Sequence, residues 1–174
     1  MEYLFYAVLV LVPSALVFGV AYFFIQKLAQ DKQLGYTAEI RKDRQRHILP
    51  LKVEAYQRLI LLLERIHPNS MVMRVHNPAK NATLIQNEIL EQIREEFEHN
   101  IAQQMFVSPQ AWEMVKRSKD ELLQLVHITG KFMEPNSTAL DFSAKLFENT
   151  AQVNPFPTEI AIQYLKEEFQ ALFK

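Results

Sequence analysis

From Tyr3 to Ile25 the chain carries no charged residue, and no other feature limits its possible folds as sharply. As a helix rising ~1.5 Å per residue the run would reach roughly 34 Å, against a bilayer core of about 30 Å. Tyr3, Tyr6 and Tyr22 lie towards its two ends, where amphipathic aromatic rings favour the membrane interface. A cleaved signal peptide fits less well, because no basic residue precedes the apolar run and the run is too long. The expectation is an uncleaved transmembrane anchor over residues 1–25.

Flanking charge predicts the orientation. Only the amino terminus and Glu2 precede the run, whereas Lys27, Lys32, Arg41, Lys42, Arg44 and Arg46 follow it. The positive-inside rule then puts the N-terminus outside and the C-terminal domain in the cytoplasm, at a bacterial plasma (inner) membrane. Asn81-Ala82-Thr83 and Asn136-Ser137-Thr138 match glycosylation acceptors, which would matter only in a secretory lumen. Pro13 is expected to kink the span. Ala15 and Gly19, four apart, would let another helix approach closely; the alternative is that they simply face lipid.

Residues 26–48 read as a polar, basic juxtamembrane linker or helix, with Gly35 a possible break. Arg41, Lys42, Arg44 and Arg46 set the topology and lie on a solvated face, or else touch anionic lipid headgroups. No aromatic residues are interleaved with them, and the formal net charge of the chain is -1, so nucleic acid is not an expected partner.

The remainder, 49–174, is expected to be a cytoplasmic bundle of about five helices. Three glycines leave no material for a glycine-rich phosphate loop, and the absence of cysteine excludes disulfides and thiolate chemistry. Pro50 is placed in the first turn of a new helix, which Pro68 ends. Ala55, Tyr56, Leu59, Leu63 and Ile66 form its apolar face. Ser70 to Val75 is a short turn or helix.

The longest helical pattern of this domain is Ala82 to Val107, N-capped by Asn81. Its apolar stripe is Ala82, Ile85, Ile89, Leu90, Ile93, Phe97 and Ile101. Gln86, Asn100 and Gln104 fall within the same sector, and Asn100 with Gln104 forms a candidate buried polar network or partner-docking pocket. Glu88, Glu91, Glu95 and Glu98 make an acidic outer face, either solvated or facing a basic partner. Ser108-Pro109 caps and opens the next helix, to about Thr129. Leu140 to Ala151 is a shorter helix with apolar Leu140, Phe142, Leu146 and Phe147. Thr158 is expected to cap the last helix, in which Ile160, Ile162, Leu165, Phe169 and Leu172 are apolar.

AYQRLILLLERI (residues 55–66) and REEFEHNIAQQMFVSPQAW (residues 94–112) resemble a family of uncharacterised bacterial proteins. That resemblance implies a single N-terminal span followed by a small helical domain, and implies no activity, cofactor or catalytic residue.

Two Glu-x-x-His motifs, Glu64/His67 and Glu96/His99, match the spacing used by helical carboxylate-bridged metal enzymes. Glu113, Glu121 and Glu148 are nominal donors for the carboxylates such a site would still lack. His67 sits on the turn before Pro68, where a helix C-terminus accounts for it without a metal. No serine lies in a glycine-flanked nucleophile elbow. The expectation is a non-catalytic single-pass subunit or adaptor of a membrane complex, without cofactor, partnered by the membrane and by other subunits or itself. A metal-dependent enzyme and a lipid-surface adaptor are the alternatives.

Overall fold

The structure, a computed structural model, describes residues 1–75 and 77–173, without the side chains of residues 3–13, 29–41 and 44. It is all-α. The elements are α1 (Glu2–Ile66), α2 (Pro68–Val75), α3 (Ala82–Asn100), a 3₁₀ turn (Ile101–Met105), α4 (Pro109–Lys131), α5 (Ala139–Ala151) and α6 (Pro157–Ala171). By its internal contacts the chain divides into two units, Met1–Leu49 and Pro50–Lys174.

The first unit is helical. Helix α1 continues through Pro13, Gly35 and Pro50, so Gly35 makes no break and Pro50 does not open a new helix. Proline removes one backbone hydrogen bond, and good helix formers on both sides carry the helix past that loss. Every side chain from Ser14 to Leu28 is exposed, including Leu16, Val17, Phe18, Phe23, Phe24 and Ile25. Among the described residues no helix is long and apolar enough to cross a membrane, and residues 3–13 of the expected span lie outside the described side chains.

The second unit has one apolar core. The expected face of α1 is buried at Ala55, Tyr56, Leu59, Leu63 and Ile66, while Leu61 stays exposed. Pro68 begins α2 without a turn's delay, and Met71, Val72 and Val75 are buried. The stripe of α3 is buried from Ala82 to Phe97. Helix α4 is central, packing against α3, α5 and α6, while α5 also closes on α2 and α3. Phe97 stacks on Trp112 at 5.2 Å between ring centroids, and Lys119 Nζ lies 4.6 Å from the Phe97 centroid.

Caps account for most helix starts. Leu84 N donates to Asn81 Oδ1 at 2.9 Å, and Ala111 N to Ser108 Oγ at 3.1 Å. At α5 the cap is Thr138, whose backbone N donates to Asp141 Oδ2 at 2.8 Å while its own Oγ1 accepts from Asp141 N at 3.2 Å. The starts of α3 and α5 are tied by Ala82 N to Ser137 O at 3.0 Å and Ala139 N to Lys80 O at 3.1 Å.

Two expectations about helix ends fail. Helix α6 starts earlier than expected: Phe156 is the N-cap, Pro157 takes the first position, and Phe156 N donates to Glu159 Oε2 at 3.0 Å. Thr158 is thereby carried into the core and caps nothing. The other failure is at the end of α3, where the α-helix stops at Asn100 and the backbone tightens to 3₁₀ over Ile101–Met105. Ile101, read as the last residue of the buried stripe, is 47% exposed as a result.

Candidate functional site

One polar arrangement in the second unit joins three helices. Tyr56 of α1 and Ser108 at the start of α4 both donate hydroxyl protons to Glu168 of α6. Ser108 N donates to Glu168 Oε1 at 3.0 Å as well. The amphipathic period of α1 puts Tyr56 on its buried face, and its role as N-cap presents Ser108 with a free backbone N–H. Glu168 reaches both from the edge of the α6 stripe.

Burial works against the Glu168 charge, but the hydrogen bonds from Ser108 and Tyr56 outweigh it, with Lys52 adding attraction. Its carboxyl is therefore held below the usual range. The Tyr56 phenol is pushed up, first by burial and then by donating to the carboxylate. Both directions keep the same protonation pattern: neutral phenol, ionised carboxylate. The Ser108 hydroxyl donates to Glu168 and accepts from Ala111 N, so both of its hydrogen-bonding roles are taken. Chemically the arrangement is a tie between helices with its protons already placed. Beside it an open groove of about 150 Å³ runs between α1 and α6, lined by Val53, Tyr56, Gln57, Ile60, Lys166 and Phe169.

The residues singled out from sequence are dispersed. Ala15 and Gly19 are exposed on α1, and among the described residues nothing lies within 4 Å of where a Gly19 Cβ would stand. Lys42 and Arg46 are exposed, whereas the Arg41 and Arg44 side chains lie outside the described residues. Glu91, Glu95 and Glu98 are exposed on α3, as expected for an outer face, and Glu88 pairs with Lys80.

Asn100 and Gln104 do not form a buried network. Asn100 is half-buried and donates to Glu96 O at 2.8 Å, within its own helix end. Gln104 is exposed and donates to Ile101 O at 3.0 Å. The change to 3₁₀ after Asn100 removes the α-helical spacing that put them in one sector. The amide of the stripe that does reach another helix is Gln86, whose Nε2 lies 3.5 Å from Val126 O of α4, over Gly130.

The Glu-x-x-His motifs also separate. Glu64 and His99 are exposed. Glu96 is bound by Arg65 at 2.7 Å and Arg74 at 3.3 Å, tying α3 to α1 and α2. His67 is half-buried with its ring on Phe156, 5.0 Å between centroids, and its Nδ1 accepts from Asn69 N at 3.3 Å. Burial lowers its pKa, and Glu159 and Glu64 offset part of that effect. Among the described residues no three of His, Asp or Glu converge where they could hold a metal ion.

Sequence comparison identifies the chain as a member of a family of unknown function, DUF7935, whose model matches residues 2–172. No curated protein and no solved structure matches it.

Proposed function

We propose that this protein is a non-catalytic, single-pass subunit or adaptor of a bacterial membrane complex, with residues 1–25 as its anchor and its helical domain in the cytoplasm. The observation that carries the reading is the first unit's surface. A charge-free run of large apolar side chains from Leu16 to Ile25 is exposed. A helix apolar on all sides is stable only when buried, and a bilayer supplies that burial together with the expected length over residues 3–25. Exposed Lys42 and Arg46 beyond it would lie on the cytoplasmic side and meet anionic headgroups. Exposed Ala15 and Gly19 offer a close-packing face to another span.

The helical domain supports an interaction role through what its polar groups do. Glu96 and Glu168 are both consumed in tying helices together. The test is fractionation of cells expressing the full chain with a C-terminal tag. Retention in membranes through a carbonate wash, release by detergent, and tag digestion only after the inner membrane is opened are expected. Recovery in the carbonate supernatant would overturn the anchor, and digestion of the tag in intact spheroplasts would overturn the orientation.

A further inference from the structure

His67 stands where two helices meet. Helix α1 ends at Ile66 and α2 begins at Pro68, so His67 is the one residue between them. Its backbone makes it the N-cap of α2: Met71 N donates to His67 O at 2.9 Å, the first bond of the new helix. Proline at the first helical position has no N–H to satisfy. The next backbone N–H, that of Asn69, donates to the His67 ring at Nδ1, 3.3 Å away. An imidazole therefore does for α2 what the Ser108 hydroxyl does for α4.

That contact fixes the protonation state of the ring. Nδ1 accepts only while it carries no proton, so the ring is neutral with its hydrogen on Nε2. A proton taken up from solvent goes to Nδ1, turns the acceptor into a donor, and leaves the Asn69 N–H without its cap. It also sets a positive charge at the N-terminal end of α2, where the helix dipole opposes it. The half-buried ring rests on Phe156, 5.0 Å between centroids. Two carboxylates act on it, Glu159 of α6 and Glu64 of α1, and both favour the cation. Arg65 and Arg74, joined through the Arg65 carbonyl, are both held by Glu96. Phe156 is the N-cap of α6 and its backbone N donates to Glu159, so the resting place of the ring and its counter-charge belong to one turn.

We propose that His67 is a proton-operated latch at the corner between α1 and α2: neutral, it caps α2 and lies on Phe156; protonated, it releases the first turn of α2 and swings to the Glu159 carboxylate. The released turn leads into Met71, Val72 and Val75, the residues that α2 buries in the core. The latch thereby governs how firmly α2 is held against α3 and α5. Burial of the ring sets its operating range below pH 6.5. His67, Phe156 and Glu159 all lie in the second unit, so the latch stands whether or not residues 3–25 cross a bilayer.

Hydrogen exchange read by mass spectrometry on the full chain in mild detergent tests this. Protection of peptides covering the start of α2, corrected for intrinsic exchange, is expected to fall about fivefold between about pH 7.5 and 5, the size of one helix cap, while α4 keeps its protection. His67→Asn supplies a cap that does not titrate, so its protection should stay high and flat across the same range. Glu159→Gln keeps an acceptor for Phe156 N and removes the counter-charge, so its transition should move to lower pH. Wild-type protection indifferent to pH, a fall that persists in His67→Asn, or an equal fall in α4 would each overturn the latch. A ring-nitrogen spectrum placing the proton on Nδ1 near neutral pH would do the same. A transition unmoved by Glu159→Gln would overturn the swing to that carboxylate.

Discussion

The backbone N–H of Ser108 donates to the carboxylate of Glu168 at 3.0 Å, between residues 60 apart in the chain. Through this bond and the hydroxyl beside it, the N-cap of α4 is supported by a side chain of α6, and Tyr56 brings α1 into the same tie. Substituting Glu168 by Ala removes the acceptor of the Tyr56 hydroxyl, the Ser108 hydroxyl and the Ser108 N–H. The expected cost is about 1–3 kcal/mol, read from urea unfolding near pH 7. The carboxyl is held below its ordinary value of 4.5, so the stabilisation is complete above pH 4.5 and lost as pH falls through the folded-state value. Glu168→Gln should be less stable than wild type near neutrality, and the gap should close in acid.

His67 acts in a higher window. Burial against Phe156 holds its pKa below 6.5, so above that pH both folded and unfolded states carry a neutral ring. As pH falls below 6.5 the unfolded chain takes up the proton first, and stability drops until the folded-state value is passed. Glu159 and Glu64 restrain the drop. His67→Phe keeps a ring on Phe156 and should flatten the stability profile just below pH 6.5 relative to wild type, as measured by denaturant midpoints at stepped pH.

Gln86 and Gly130 should be coupled. A Cβ at position 130 would come within 2.3 Å of the Gln86 amide, so Gly130→Ala must displace that amide from α4. Alanine in place of a helical glycine otherwise gains about 0.5–1 kcal/mol. The single Gly130→Ala variant should therefore show little or no gain, whereas the same change in a Gln86→Ala background should show the full helix gain. A double-mutant cycle by thermal unfolding checks this, and additivity would mean the two residues do not meet.

The acidic residues of α3 should divide by position. Glu96, its side chain 17% exposed, holds Arg65 and Arg74, and Glu96→Ala should cost about 1–2 kcal/mol. Glu91, Glu95 and Glu98 are exposed, and each changed to Gln should alter stability by less than about 0.5 kcal/mol. Chemical denaturation of the four variants side by side distinguishes the structural carboxylate from the solvated ones.

Much of the domain was legible residue by residue. Asn81 and Ser108 cap the helices their positions announced, and the apolar period of α3 marks the buried residues from Ala82 to Phe97. The failures have a common cause. Leu140 carries the same hydropathy as the buried Leu146, and Thr158 matches a cap as well as Ser108 does, yet neighbouring elements decide otherwise. Pro157 fixes where α6 begins, and the packing of α5 on α2, α3 and α4 decides which side of α5 is covered.

The sequence by itself determined the all-α class, the apolar run ahead of the basic segment, and the capped starts of α3 and α4. Caps, proline positions and amphipathic period act within about four residues, so they are written locally. Only the tertiary structure decided that Tyr56 and Ser108 both donate to Glu168, that Glu96 belongs to two arginines, and that Asn100 and Gln104 part company. Partners brought together across the chain leave no spacing to read. Whether a polar side chain is buried, paired or exposed depends on which helix lies against it.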